Sequence, residues 1–558
     1  MPTPERFART ERNMEDKLRW NNTIKVLALS LAATTALSAP SFAQTALRVF
    51  APQDAAQDLN TNAFTKEIED KFGIDLSFET TTYDGGAAME KRQITLASGD
   101  YPEAFLLIGW LDVLSQAELL KYADYGVVLP LNDLIDQHAP NIKAAFEKVP
   151  AFKALATAPD GNIYGLPQWN DCYHCSYAAK LWLNTDWLDK LGLEMPKTTE
   201  EMKAVLTAFK TQDPNGNGRA DEIPLSADKS DYIVPYFMNA FIYDPRSSDA
   251  APMMLALNGD KLQFQAMQDG WRQGLAYISD LYKDGLVDSG AFTQNRDALS
   301  ALGNSAEGTI VGAATLMHPA IMVENGQPDG RDKNYDPVPP LTGPGGVSYT
   351  SYNLPSRPGA SFVITNKANE EQQIAAIKML DYLFTDEGRL NGYYGFEGEN
   401  WAKPDAGDVA LDASNPPIFK ALPDPNNGQP TNRAWGALVQ FFQDNEWRGG
   451  QVQPEDIYEP SGYERRLFQA TKLYEPHVPT DQVFPYWNVW VDASQADELA
   501  QLQTNINNYV QQANAEFITG QRDINDDAAW EGYVNDLKNL GVDRYVEIYQ
   551  ASYDASAK

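Results

Sequence analysis

The chain has 558 residues, 43% hydrophobic and 22% charged, with 77 acidic against 44 basic side chains and a net charge of −33. That length exceeds what one hydrophobic core supports, so at least two domains are expected. Such acidity disfavours nucleic acid and anionic lipid head groups as partners.

Lys17, Arg19 and Lys25 precede an apolar run, Val26 to Ala33, and small residues Ser41 and Ala43 follow. This pattern predicts a secretory signal peptide over 1–43, cut after Ala43, with Met14 as an alternative start. Six basic and four acidic residues leave with it, so 38 basic and 73 acidic residues remain, a net −35. No cysteine lies near the cut. The expectation is therefore a periplasmic protein without a lipid anchor. No later run approaches the roughly 18 apolar residues of a membrane span.

Leu47–Phe50 then alternates as a strand, a helix ends at Ile68, Phe72 and Gly73, and Ile74, Leu76 and Phe78 form a second strand. A helix near Met89–Leu96 and a buried strand, Ala104–Ile108, follow. Strands alternating with helices predict α/β layers over a mostly parallel sheet. Cys172-Tyr-His-Cys175 has redox-motif spacing. Two thiols cannot close a tetrahedral zinc site, and after export a small disulfide is expected, with a redox dithiol as the alternative.

Thr198 and Glu201 make a capping box for a helix whose Met202, Val205, Leu206 and Phe209 share one face. The loop after it reads Asp213-Pro-Asn215-Gly-Asn217-Gly218-Arg219-Ala-Asp221-Glu222. Oxygen-bearing side chains at alternate positions, a carbonyl at Arg219 and a turn at Gly218 can wrap Ca²⁺. The glutamate expected at position 12 is replaced by Pro224, so Glu222 must close the shell. A solvated Asx/Gly turn is the alternative. Further on, Asn258-Gly259 predicts a hairpin, and helices carry Trp271, Leu275, Ile278 and Leu281, then Ile374, Ile377, Leu380 and Phe384. Residues 403–430 are rich in Pro, Asp, Asn and Gly, and Asp424-Pro-Asn426-Asn427-Gly428 reads as a turn. Two helices end the chain, one stopped near Gly520 and one near Gly541.

Leu183-Asn-Thr-Asp-Trp187-Leu-Asp-Lys-Leu-Gly192-Leu, Pro196, the capped helix, the loop and Ile223-Pro-Leu225 together resemble family 1 extracellular solute-binding proteins of ABC importers. Leu96-Ala-Ser-Gly-Asp-Tyr-Pro102, Pro130-Leu-Asn-Asp-Leu-Ile135 and the proline-rich Tyr335–Pro344 extend the likeness, which runs from about 46 to 553. It is strongest to the long, calcium-carrying oligosaccharide binders, including alginate- and glycosaminoglycan-binding types. The resemblance implies an α/β, two-lobed periplasmic-binding-protein fold of type II. One lobe would hold 44–166 plus 357–400, the other 167–356 plus 401–558, joined by a hinge. It also implies a structural Ca²⁺ held by Asp213, Asn215, Asn217, the Arg219 carbonyl, Asp221 and Glu222, away from the sugar. The partners would be an oligosaccharide and the inner-membrane permease, the receptor itself being a monomer that binds no nucleic acid.

A sugar presents an apolar ring face and a rim of hydroxyls, which aromatic rings and polar side chains match. Position in that fold selects Trp110 after the third strand, and Trp169, Asn170 and Asp171 after the first lobe crossing. It also selects His318, Glu397, Trp401, Phe442, Asp444 and Trp447. For each, core packing or a solvated turn is the alternative. No Gly-x-Ser-x-Gly, His-Glu-x-x-His or Gly-x-x-x-x-Gly-Lys motif occurs, and the four histidines (138, 174, 318 and 477) are scattered. The expectation is a non-enzyme with no catalytic residues. A carbohydrate-processing enzyme, or a peptide or lipid receptor on the same scaffold, is the alternative.

Overall fold

The computed structural model describes residues 44–229, 233–246, 254–423 and 431–556. The predicted signal peptide and the Asp424–Gly428 turn lie outside the described residues.

The first sheet has four strands in the spatial order Phe362–Ile364, Ala104–Leu106, Thr45–Pro52, Ile74–Thr81. Thr45–Pro52 runs parallel to both neighbours among the first three strands, and Phe362–Ile364 closes the edge antiparallel. Side chains alternate along a strand. Leu47, Val49 and Ala51 therefore enter one apolar cluster while Phe50 enters another on the opposite face. Burial on both faces is what a parallel sheet covered by helices requires. The flanking helix Ala63–Phe72 is capped by Asn62 and stopped by Gly73 at φ 66°, and Gly85–Ser98 by Gly99 at φ 78°.

The second sheet is antiparallel, with Leu181–Asn184 between Ala313–Thr315 and Tyr335–Val338. Its helix Thr199–Thr211 carries the expected capping box and buries Met202, Val205, Leu206 and Phe209. The hairpin at Asn258-Gly259 joins Leu255–Asn258 to Lys261–Phe264. Helix Asp269–Lys283 buries the four predicted residues against the C-terminal helices. Gly520 and Gly541 both take positive φ where helices were expected to stop. A third C-terminal helix, Val542–Ser556, starts immediately after Gly541.

The apolar interior divides into a cluster around the first sheet and a larger one around the second. Trp435, Leu438, Val439, Phe441 and Phe442 belong to the first cluster. Three stretches of chain lie side by side between the clusters. Leu166 N–H donates to the Phe362 carbonyl (2.9 Å), Asn170 N–H to Pro355 (2.8 Å), Trp169 N–H to Phe441 (3.1 Å) and Asp171 N–H to Gln443 (2.7 Å). Trp169–Asn170 and Phe442–Gln443 form a short parallel pair there.

Gly165 sits where these stretches touch. A Cβ at this position would lie 2.6 Å from both the Ala360 Cβ and the Phe362 carbonyl oxygen. Gly165→Ala should therefore destabilise the protein by about 1–3 kcal/mol, the usual range for overpacking. Urea unfolding would show this as a lower midpoint, and an unchanged midpoint would mean the crossing yields easily.

Candidate ligand-binding site and cation loop

The sequence-predicted residues separate into those that face a shared polar region and those that pack inside the protein. Trp169 and Phe442 are core residues. Phe152 meets Trp169 edge-on (6.1 Å between centroids) and also contacts Phe442 (5.6 Å), which stacks on Phe384 (5.9 Å). Trp447 stacks on Phe419 at 4.9 Å, with the Arg389 guanidinium 5.3 Å from its ring centroid. Trp401 joins the same small cluster and donates its indole N–H to Asn391 (3.1 Å). These four rings bury their faces on protein, which is the core-packing alternative for each. Glu397 lies on an exposed turn beside Lys403 (3.7 Å). His318 accepts or donates through Nδ1 to the Tyr463 hydroxyl (3.0 Å), and burial pushes its pKa down to about 4.

Trp110 behaves differently. It is 48% exposed and meets Tyr83 edge-on at 5.4 Å. Burial pushes the Tyr83 hydroxyl up to about 12, and Tyr393, among its titratable neighbours, packs against Tyr394 at 4.8 Å. Tyr394 in turn feels Arg448 and Glu464. The Arg448 guanidinium also lowers the pKa of Asp171 and of His174. Exposed aromatic surface from the first sheet's side thus leads to Asp171, Arg448 and Glu464. Sequence reasoning missed Tyr83, Tyr393, Tyr394, Arg448 and Glu464. Arg448 adjoins the singled-out Trp447, but nothing local marks Glu464, which belongs to helix Tyr463–Thr471.

The polar groups here are under-satisfied. Gln443 is fully buried, and neither its amide nitrogen nor its oxygen has a partner; the same holds for Asn170 Oδ1. Unpaired buried amides cost about 1–3 kcal/mol each, so they persist where something else completes them. Asp444 is buried, caps Trp447 N–H (3.0 Å) and pairs with Lys148 (2.6 Å). Burial, followed by the nearby Asp444 charge, pushes the Asp171 carboxyl up to about 6.

The Cys172 and Cys175 sulfurs are bonded, with Cα atoms 5.2 Å apart, around the single helical turn Tyr173–Ser176. With both thiols used, His174 has no cysteine ligands to share a metal with. Lys180, fully buried, donates to the carbonyls of His174 (3.0 Å) and Tyr177, and burial lowers its pKa to about 7. Tyr173 donates to Glu475 (2.6 Å). The turn is therefore fastened at both ends beside Asp171.

In the loop 213–222 the oxygens converge. Asp213 accepts from the N–H groups of Asn217 (3.1 Å) and Gly218 (3.0 Å), and Asn217 Oδ1 accepts from Arg219 N–H (2.8 Å). The amide groups of Asn215 and Asn217 both turn to Asp221. Asp213 holds φ at 48°, and Glu222 Oε1 is buried with no partner. Burial and the neighbouring Asp213 and Asp221 charges raise the Glu222 pKa. A carboxylate oxygen orphaned beside two others fits the donor set of a hard cation.

Asp171 gives a pH prediction. Its folded pKa lies above the ordinary 3.8, so the folded state binds more protons and loses stability as pH rises from there to about 6. Asp171→Asn should melt above the parent at about pH 7.5, and the gap should close near pH 4. Thermal melts at the two pH values test this; equal shifts at both would exclude titration as the cause.

The sequence profile of the bacterial extracellular solute-binding proteins matches residues 62–398. The fructooligosaccharide ABC transporter substrate-binding protein FusA of Streptococcus pneumoniae is 29% identical over 514 residues, 89% of this chain and 88% of that protein. The structure of FusA in complex with kestose superposes with a TM-score of 0.69 at 27% identity, covering 92% of this chain and 99% of that one. A FusA EF-hand mutant in complex with fructo-nystose gives the same TM-score at 26% identity and the same coverage. A human-milk-oligosaccharide (HMO) binding solute-binding protein from Bifidobacterium longum infantis, 22% identical, gives 0.72 with coverage of 92% and 99% and supports the fold. These likenesses extend over nearly all of each relative, and the family profile spans more than half of this chain, which belongs to the bacterial extracellular solute-binding proteins.

Proposed function

We propose that this chain is the periplasmic receptor of an ABC importer, capturing an oligosaccharide between two lobes and delivering it to the membrane permease. The observation that carries the reading is the group of Trp110, Tyr83, Tyr393 and Tyr394 leading to Asp171, Arg448 and Glu464. Apolar rings beside unpaired hydrogen-bonding groups match a pyranose or furanose face and its hydroxyl rim. The relative solved with kestose supports the same ligand class.

On this reading the first lobe comprises 44–166 and 357–400, with 435–442 contributing to its core, and the rest forms the second. The crossings at 166–171, 355–362 and 441–443 are then the hinge. Ligand contacting both lobes favours the closed arrangement, and the permease recognises the surface so formed. The signal peptide would be removed on export, and the receptor acts as a monomer without chemistry of its own. Asp213, Asn215, Asn217, the Arg219 carbonyl, Asp221 and Glu222 would hold Ca²⁺, which supplies charge neutralisation to the loop and no reaction.

Two measurements test this. In a thermal-shift screen against defined oligosaccharides, monosaccharides and short peptides, an oligosaccharide series should raise the melting temperature by mass action. Trp110→Ala should weaken that binding by up to about tenfold, the worth of one aromatic contact, with little change in the unliganded melt. A shift with peptides alone would discard the sugar assignment. Separately, the Asp213→Ala, Asp221→Ala variant should bind no calcium and melt lower than the calcium-loaded parent. A parent that takes up no calcium after extended exposure would contradict the loop assignment.

A further inference from the structure

The disulfide turn carries a second cluster of donor atoms. Cys172 and Cys175 flank His174, and ligand atoms of all three lie within 4.8 Å of one another. His174 Nδ1 lies 3.8 Å from Cys172 Sγ, and Nε2 lies 3.5 Å from it. On its other side Nδ1 lies 3.5 Å from Oε2 of Glu464, in the first turn of helix Tyr463–Thr471. Beyond these contacts the His174 ring has no hydrogen bond, and Glu464 no ion pair, among the described residues. The turn and that helix are held together independently, because the Tyr173 and Phe468 rings meet at 5.0 Å.

Two thiols, an imidazole and a carboxylate make a four-ligand set for zinc. With zinc–ligand bonds of about 2.0–2.3 Å, donors at neighbouring corners of a tetrahedron stand about 3.3–3.8 Å apart. The separations of His174 Nδ1 from Cys172 and from Glu464 are those of such edges. Only the two sulfurs are too close, being bonded to each other. We propose that Cys172, His174, Cys175 and Glu464 form a thiol-gated zinc site, closed by the disulfide and opened by its reduction. A dithiol reductant supplies two electrons and two protons, leaves Cys172 and Cys175 as thiols, and departs as its own disulfide. Zn²⁺ then displaces both thiol protons to solvent and forms two zinc–thiolate bonds. His174 Nδ1 and one Glu464 oxygen complete the tetrahedron. Reoxidation joins the sulfurs and expels the ion. Cys172 is buried, while the His174 and Glu464 side chains keep 12% and 35% exposure, which gives the ion a path in. Sulfur and nitrogen donors distinguish this site from the all-oxygen loop 213–222, which suits a hard cation.

Glu464 also stands in the group proposed to meet an oligosaccharide, so zinc is titrated without sugar. The test compares the processed protein, with calcium present, before and after reduction by a phosphine, because a dithiol would chelate the metal itself. Competition with a chromogenic chelator reads zinc affinity, and Co²⁺ serves as a coloured substitute. The reduced protein should bind one Zn²⁺ per chain at least about a hundredfold more tightly than the oxidised protein. Co²⁺ should show thiolate charge-transfer and tetrahedral ligand-field bands. Glu464→Gln should weaken binding about tenfold or more yet keep the thiolate bands, and Cys172→Ser, Cys175→Ser should abolish both. Equal zinc uptake by the two forms, or cobalt spectra without thiolate bands, would overturn the proposal. Full-strength binding in Glu464→Gln would overturn the four-ligand assignment. A bridge across so short a loop constrains the unfolded chain little, so the reduced protein should keep a cooperative melt. Loss of that melt on reduction would also overturn the site, since Glu464 meets the turn only in the fold.

Discussion

The structure depends on three stretches of backbone passing side by side at Leu166–Asp171, Pro355–Phe362 and Phe441–Asp444. Hydrogen bonds of 2.7–3.1 Å join them. Strand periodicity then does two things at once. Trp169 and Phe442, opposite each other in register, turn into the first core, while Asn170 and Gln443 are the next residues along and turn the other way. The same short pair thus anchors an apolar core and presents unpaired polar groups. Gly109 N–H donates to Gln168 (2.8 Å), whose amide reaches the Ala437 carbonyl (2.8 Å), so the loop bearing Trp110 is tied to this crossing. The exposed aromatic platform and the polar groups take their relative positions from one set of bonds.

Cations near the site are mostly spent on backbone. Arg465 donates to the carbonyls of Ala410, Leu411, Gln453 and Pro454, and Arg466 to those of Asp332 and Tyr335. The described part of 403–462 has only short regular elements, so its carbonyls find few partners in ladders. Guanidinium groups with five donors satisfy several such carbonyls at once. Two adjacent arginines on helix Tyr463–Thr471 thereby hold these segments against that helix. That use of arginine, together with the buried Lys180, commits these cations to the protein's own backbone.

Local chemistry was legible in the sequence, and chemistry assembled across the crossing was not. The capping box at Thr198, the helix face through Phe209 and the Gly259 hairpin depend on near neighbours alone, and each is found as expected. The oxygen spacing of 213–222 is also local, and its side chains converge as the spacing suggested. The expectation of discontinuous lobes rests on the family resemblance alone, because periodicity carries no information about residues hundreds of positions apart. Trp169, Trp401, Phe442 and Trp447 show why sequence leaves two readings open: an indole or phenyl ring near a crossing fills a core as well as it covers a sugar, and here each packs in a core. Tyr83 and Glu464 gave no signal, because each acquires its neighbours only from the fold.

The cation loop is more than a surface appendage because its exit strand is part of the second sheet's edge. Ile223 N–H donates to Ile310 (2.8 Å) and its carbonyl accepts from Gly312 (2.9 Å), while Ser226 N–H donates to Ala313 (2.9 Å). Ala313–Thr315 pairs with Leu181–Asn184, the strand that begins directly after Lys180 and the disulfide turn. An ion fixing Asp221 and Glu222 would therefore restrain the first residues of a continuous hydrogen-bonded path to the wall bearing Asp171. Without an ion, the buried Glu222 carboxylate and its two acidic neighbours repel one another at the start of that path. Neutralising the three converging carboxylates would relieve that repulsion at the edge of the second sheet.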